Sequence, residues 1–304
     1  MSGQMSGKVG VIGLGSMGLG IARSLLRAGF DVAGFDVSPD RQEQFVAAGG
    51  RTASSPGHAA AGATAVVVVV VNAKQTESVL FGEAGAIPAL RPGAVVISSA
   101  TMAPDDAKGF EQRAAEARIH YLDAPVSGGS VRAEEGQLTI LSSGKPKAYA
   151  AARPVLDVIA TTVYELGDAA GPGSAFKMVN QLLAGVHIAA ACEAMTFAAR
   201  LGLDLDRVYE VITASAGNSW MFENRVPHIL EGDYSPRSAV DIFTKDLGIV
   251  AAMGQREKMP LALAAAAMQM FVAASAAGMG RDDDASVARL LAQTARIDLP
   301  RRGT

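Results

Sequence analysis

Lys177, Asn180 and Gln181 stand at i, i+3 and i+4 in a segment of helical pattern, so one helix face carries all three. An ammonium group placed there can hydrogen-bond a substrate hydroxyl or carbonyl. Burial of such a group favours the neutral amine, which can then exchange a proton with the substrate oxygen. The Gln181 amide could orient substrate oxygens. The same lysine also fits a solvated residue near a helix start, paired with a surface acid. A second candidate is Ser127-Gly128-Gly129, whose backbone N–H groups can form a small nest for a carboxylate. An ordinary turn after a strand fits those residues as well.

Proton exchange of this kind complements a hydride carrier, and the N-terminal region supplies a place for one. Gly13-Leu14-Gly15-Ser16-Met17-Gly18 lies between the apolar run Val9-Gly10-Val11-Ile12 and the helical pattern Ile21 to Leu26. Gly13 permits a tight turn, Gly15 lets the backbone approach a pyrophosphate, and Gly18 lets helix and strand pack closely. The helix N-terminus then offers N–H groups and a positive dipole end to the phosphates. A second strand, Val32-Ala33-Gly34-Phe35, ends on Asp36. A carboxylate there accepts hydrogen bonds from both ribose hydroxyls and repels a 2′-phosphate, which favours NAD over NADP. Asp36 also suits a turn or helix-start residue before Ser38-Pro39-Asp40.

These residues must be positioned by alternating strands and helices. Val66 to Val71 is an unbroken valine run suited to a parallel strand covered on both faces. Ala94 to Ile97 and Ile119 to Leu122 read the same way, and Leu138 to Leu141 reads as a shorter strand near the sheet edge. Helical patterns at Pro104 to Arg118 and Pro146 to Ile159 complete a doubly wound α/β domain over residues 1–168. Ligands of open α/β sheets bind beyond the carboxyl ends of the strands. That rule brings Gly13 to Gly18, Val71 and Asn72, Ser98 to Pro104, and Asp123 to Gly129 to one crevice.

From Gly171 onward the strand signal is lost. Ser174 to Arg200 reads as one long helix, apolar nearly all round between Leu182 and Ala191, hence buried between domains or subunits. Leu205 to Ala214, Ala239 to Met253, Leu261 to Ala276 and Ser286 to Gln293 continue as helices. Residues 169–304 therefore form an all-helical domain that begins with the long inter-domain helix.

The 304 residues suffice for two domains, and a net charge of −3 with interspersed signs carries no basic nucleic-acid footprint. Aromatic residues make up only 5% against 49% hydrophobic, so Ala, Val, Leu and Met build the core. The single cysteine, Cys192, excludes an intramolecular disulfide framework and fits a reducing compartment, with a buried inert thiol as its role. No convincing membrane span or cleavable leader is read, so a cytoplasmic location is expected. His58, His120, His187 and His228 lack metal-ligand spacing, and no metal is expected. Asp282-Asp283-Asp284 lacks the spacing of a calcium loop and reads as a solvated turn.

The ordered set of motifs resembles the β-hydroxyacid dehydrogenases, the family that includes 3-hydroxyisobutyrate dehydrogenase and tartronate semialdehyde reductase. It comprises Gly13 to Gly18, Thr101-Met102-Ala103-Pro104, Asp123 to Gly129, Gly171-x-Gly173-x-x-x-Lys177 and Lys245-Asp246-Leu247, and it covers essentially the whole chain. The resemblance implies a Rossmann-type domain joined by a long helix to a 6-phosphogluconate dehydrogenase-like helical domain. It implies Lys177 as the catalytic acid/base, Ser127, Gly128 and Gly129 as holders of the substrate carboxylate, and Thr101 and Lys245 as cofactor contacts. It also implies a homodimer or homotetramer. The stretches 182–190, 217–225 and 238–243 are similar to one branch of that family, which implies NAD-dependent oxidation of the 2-hydroxyl of a four-carbon sugar acid. One departure stands out. The family's usual Lys-x-x-Asn-Asn is Lys177-Met178-Val179-Asn180-Gln181 here, with an i+4 amide one methylene longer. An enzyme of this family, an aldehyde-acid reductase, or a non-enzymatic NAD(H)-binding module would each retain the glycine fingerprint; only the first two need the lysine.

Overall fold

The computed structural model describes residues 7–300, and the chain divides into two units, Met1–Lys177 and Met178–Thr304. The outermost residues of the two expected domains, 1–6 and 301–304, lie outside the described residues.

The first unit opens with β1 (Lys8–Ile12), α1 (Ser16–Arg27), β2 (Asp31–Phe35), α2 (Pro39–Ala47), β3 (Arg51–Thr52) and α3 (Pro56–Ala60). It continues with β4 (Ala65–Val68), α4 (Ala73–Phe81), β5 (Val95–Ser98), α5 (Pro104–Glu116) and β6 (His120–Asp123). These strands form one parallel sheet in the order β3-β2-β1-β4-β5-β6. That is the doubly wound order in which the winding reverses beside β1, and the carboxyl ends of β1, β2, β4, β5 and β6 lie along one edge. Full burial of β4 and β5 explains why both read as continuous apolar runs rather than alternating ones. Apolar layers cover both faces of the sheet, one around Val11, Val67 and Ile97, the other around Ile12, Val68 and Val96.

Two sequence expectations change here. The valine strand ends at Val68, not Val71: Val69 still donates to Ile12 O (2.8 Å), but its own carbonyl occupies the space a side chain would need at Gly13. Leu138 to Leu141 is not an edge of the main sheet. It lies in β8 (Leu138–Ser142), the middle strand of a separate three-stranded sheet with β7 (Val126–Ser127) and β9 (Ala160–Glu165). β8 runs antiparallel to β7 and parallel to β9. The two-residue β3 and the half-exposed β9 lack the continuous apolar run that marks β4 and β5, so neither stands out in the hydrophobic pattern. Helices α6 (Gly129–Glu135) and α7 (Pro146–Ile159) complete this region.

Helix α8 (Pro172–Arg200) starts in the first unit and continues into the second. The described part of the second unit contains α9 (Leu205–Thr213), α10 (Trp220–Glu231), α11 (Val240–Arg256), α12 (Ala262–Ala274) and α13 (Val287–Ala295), with no strand. Its core gathers Ile188, Cys192 and Met195 of α8 with Val226, Phe243, Leu247 and Phe271. Gly185 makes close packing possible, since a Cβ there would lie 2.9 Å from a Leu247 methyl. Helix α10, absent from the sequence expectations, runs unbroken through Pro227 and is capped by Ser219, whose hydroxyl accepts from Phe222 N. By length and composition α8 and the segment Ala262–Met279 could each cross a membrane; half of the most apolar window of α8 is buried in protein.

Candidate active site

The glycine fingerprint is built by steric necessity. Gly13 has φ +93°, and a Cβ on it would lie 2.4 Å from Val69 O. A Cβ on Gly18 would lie 1.8 Å from Gly13 O, so helix α1 can leave the turn only with glycine there. Gly15 is the N-cap of α1, no side chain caps this end, and no acidic residue occupies the first turn. A Cβ at Gly15 would meet nothing within 4 Å, which leaves the approach to the helix start open. Uncapped N–H groups of Ser16, Met17 and Gly18 at a positive dipole end, reached across bare backbone, fit a pyrophosphate. Leu14 is fully buried and offers only its backbone.

Asp36 does two jobs in this loop. Its Oδ2 accepts from Leu14 N (2.6 Å) and its Oδ1 from Ser38 N (2.8 Å). The carboxylate thus ties the fingerprint to the turn that starts α2, while each oxygen retains a lone pair for a ribose hydroxyl. Val71 and Asn72 form a reciprocal cap on α4: Asn72 Oδ1 accepts from Gln75 N, and Gln75 Oε1 accepts from Val71 N, both at 2.9 Å. Thr101 sits half-buried in the segment between β5 and α5, beyond the carboxyl end of β5.

Lys177 is not a solvated surface lysine. It is 8% exposed, and its Nζ donates to Val126 O at 2.9 Å. Val126 directly precedes Ser127, so the amine lies beside the Ser127-Gly128-Gly129 loop. In that loop Gly128 and Gly129 have φ +136° and +79°, two consecutive residues in the region that favours glycine. The loop is anchored to the fingerprint helix through α6. Ser24 Oγ of α1 donates to Ala133 O (3.1 Å) and Glu134 O (2.8 Å), and Gly20 lets the two helices touch backbone to backbone.

One residue that carried no role in the sequence reading organises this corner. Asp123, the last residue of β6, is 1% exposed. Its Oδ2 accepts from Gly171 N (3.0 Å), Ser174 N (2.8 Å) and Ser143 Oγ (3.3 Å), and its Oδ1 accepts from Ser174 Oγ (2.7 Å). Burial pushes this carboxyl up, opposed by those hydrogen bonds. An acid at the carboxyl end of a strand, directly before the Ala124 to Gly129 segment, was the available signal.

In the second unit the i+3 and i+4 amides are engaged with each other and with a buried acid. Asn180 Nδ2 donates to Gln181 Oε1 (3.0 Å), and Gln181 Nε2 donates to Asp246 Oδ2 (2.5 Å). Lys245 Nζ lies 2.5 Å from Asp246 Oδ1. The longer amide of Gln181 is therefore used to reach Asp246, itself 1% exposed.

The acidic run is a correction. Asp283 and Asp284 are fully buried rather than solvated. Arg225 Nε and Nη2 grip the two oxygens of Asp284 at 2.6 and 3.1 Å. His228, one turn along α10, presents Nδ1 to Asp283 Oδ1 (2.8 Å) and Nε2 to an Arg237 guanidinium nitrogen (2.7 Å). Burial pushes the Asp284 carboxyl up to about 6 even against the pull of Arg225. Burial acts the same way on Asp283, but His228 and backbone N–H groups outweigh it and hold that carboxyl below its usual range. Arg225, in the 217–225 stretch, is thus committed to the interior. Among the described residues, no three His, Cys, Asp or Glu side chains are grouped so as to hold a metal ion.

Comparison with known proteins places the chain. Residues 8–167 match the family described as the NAD binding domain of 6-phosphogluconate dehydrogenase. Residues 171–291 match the NAD-binding family of NADP-dependent 3-hydroxyisobutyrate dehydrogenase. An L-threonate dehydrogenase of Cupriavidus necator is 55% identical over 94% of this chain and 96% of its own. One from Pectobacterium atrosepticum is 49% identical over 93% of each. A solved structure, the 3-hydroxyisobutyrate dehydrogenase from Salmonella typhimurium, superposes with a TM-score of 0.88 at 48% identity, covering 93% of this chain and 99% of that one.

Proposed function

The chain belongs to the 3-hydroxyisobutyrate dehydrogenase family of NAD-binding hydroxyacid dehydrogenases, and we propose that it oxidises L-threonate at the 2-hydroxyl to the 2-oxo acid. The observation that carries the reading is the buried Lys177 amine on Val126 O, next to the Ser127-Gly128-Gly129 loop. Several relatives named L-threonate dehydrogenase, 47–55% identical over most of the chain, support the substrate.

NAD, held at the fingerprint and at Asp36, supplies the hydride acceptor. The chain's own residues do the rest. Ser127 and the N–H groups of Gly128 and Gly129 hold the substrate carboxylate. Lys177 Nζ, as the neutral amine, takes the proton of the 2-hydroxyl as the carbinol hydrogen leaves as hydride, and it returns that proton in the reverse direction. Fixing the carboxylate relative to Nζ makes the proton transfer effectively intramolecular. The Asp36 carboxylate favours NAD over NADP. In this reading residues 1–168 form the cofactor domain and 169–304 the substrate and oligomerisation domain of a cytoplasmic homodimer or homotetramer. The single, buried cysteine suits that compartment.

A second reading has one observation in its favour: the Salmonella protein at 48% identity is named for 3-hydroxyisobutyrate. Mixing the purified protein with NAD and each of L-threonate, D-threonate, D-erythronate and 3-hydroxyisobutyrate, and following NADH absorbance, separates the two. Turnover on L-threonate alone is expected; turnover confined to 3-hydroxyisobutyrate would replace the substrate and keep the fold and cofactor.

A further inference from the structure

The first turn of α8 is held from outside the helix by one short piece of chain. Asp123 takes the N–H groups of Gly171 and Ser174 and the Ser174 hydroxyl, and three residues later Val126 O takes the Lys177 amine. Ser143 braces the arrangement: its hydroxyl donates to Asp123 Oδ2 and accepts from Gly173 N at 2.9 Å. Gly173 itself cannot carry a side chain, because a Cβ would lie 2.5 Å from Leu141 O and 2.9 Å from Asp123 O. The helix start is thereby pressed onto strands β6 and β8 with almost no freedom. A helix N-terminus ordinarily offers its amides to an anion. Here a resident carboxylate already uses them, so the substrate carboxylate is left to the Ser127-Gly128-Gly129 loop.

We infer that Asp123 is the positioning residue for Lys177: it fixes the start of α8 so that Nζ stands one residue from the Ser127 loop, and it sets turnover rather than cofactor affinity. The inference rests on the reading of Lys177 as the proton-exchanging group. Asp123 touches no reacting atom. It acts through the backbone of Gly171 and Ser174, and Lys177 follows Ser174 by three residues, just under one helical turn. Displacement of a proton-exchanging group by about 1 Å is enough to cost on the order of 10²-fold in rate.

The isosteric variant separates positioning from general damage. In Asp123→Asn an amide oxygen in the place of Oδ2 still accepts from Gly171 N and Ser174 N, and the amide NH2 can donate to the Ser174 hydroxyl. In Asp123→Ala those donors are buried without a partner. We expect Asp123→Ala to lose about 10²-fold in kcat with NADH affinity, read by fluorescence titration, within about twofold of native. Asp123→Asn should recover to within about fivefold of native, and Ser174→Ala should lose about fivefold. Lys177, mapped by competitive acetylation and mass spectrometry, should react several-fold faster in Asp123→Ala as its amine leaves Val126 O. Native kcat in Asp123→Ala would overturn the inference. So would loss of NADH affinity in step with kcat in both Asp123 variants, which marks collapse of the domain. If Asp123→Ala does not fold, native kcat in Ser174→Ala overturns it instead. Lys177→Ala run alongside tells the two ideas apart: an inactive Lys177→Ala with a fully active Asp123→Ala sinks only the positioning role, whereas an active Lys177→Ala sinks the reading beneath it.

Discussion

At the scale of single residues, burial decides which of the polar groups can do chemistry. A lysine near a helix start is most often solvated, and nothing in its neighbours along the chain says otherwise. The structure removes Lys177 from water and gives its amine a carbonyl partner beside the Ser127-Gly128-Gly129 loop. Lys177→Ala should therefore lose about 10²–10⁴-fold in kcat, the range that a positioned acid/base contributes, with NADH affinity retained. Steady-state kinetics and a fluorescence titration check both halves of that statement. The Asp36 carboxylate holds the turn between β2 and α2 and, in the proposed reading, also receives the ribose hydroxyls. Asp36→Ser should lower the NAD-over-NADP preference in kcat/KM by about tenfold, since it removes a charge that repels a 2′-phosphate. An unchanged ratio would put cofactor choice elsewhere in the loop.

At the scale of elements, the fingerprint turn was legible because its constraints are local. Gly13 and Gly18 meet carbonyls at distances no side chain tolerates, and glycine spacing records that fact directly in the chain. Gly18→Ala should cost about 1–3 kcal/mol of stability by overpacking and weaken NADH binding as α1 shifts. A urea melt and the same titration measure the two effects, and native values for both would mean that the turn is softer than its contacts imply. Strands β3 and β9 and helix α10 were not legible for a matching reason. They are short or half-exposed, or contain a proline, and are held by neighbours that periodicity along the chain does not report. Asn72 closing α4 with Gln75 shows the opposite case, a cap readable from residue spacing once the strand before it is ended at Val68.

At the scale of each whole unit, buried charge is the feature that composition least betrays. Arg225 and Asp284 are 59 residues apart in the chain and meet in a bidentate pair inside the second unit. Removing one partner strands the other, so Arg225→Met should destabilise the protein by about 3–5 kcal/mol near neutral pH. The pH dependence has a definite sign. The folded-state pKa of Asp284, about 6, lies above the unfolded value of 3.8, so the folded protein binds more protons in that window and this group's contribution to stability falls as pH rises through it. Loss of Arg225 removes the attraction that holds that value down and extends the window upward. The deficit of Arg225→Met, measured as a urea midpoint against native protein, should shrink from pH 8 to pH 5. A deficit that is constant or grows on acidification would mean that Asp284 is not the stranded charge.

Taken by itself, the amino-acid sequence determined everything that short-range sterics and periodicity can encode. It determined the parallel α/β region, the glycine turn at Gly13 to Gly18 with its closing Asp36, the switch to helices after Gly171, and the face shared by Lys177, Asn180 and Gln181. Tertiary structure alone decided which polar residues leave water and what they meet. It took Asp123, Asp246, Asp283 and Asp284 into the interior, each against a partner 48 to 65 positions away in sequence. The physical reason is that a carboxylate has no intrinsic preference for burial. It is buried only where donors from distant segments arrive together, and that convergence is a property of the folded chain rather than of any stretch of it.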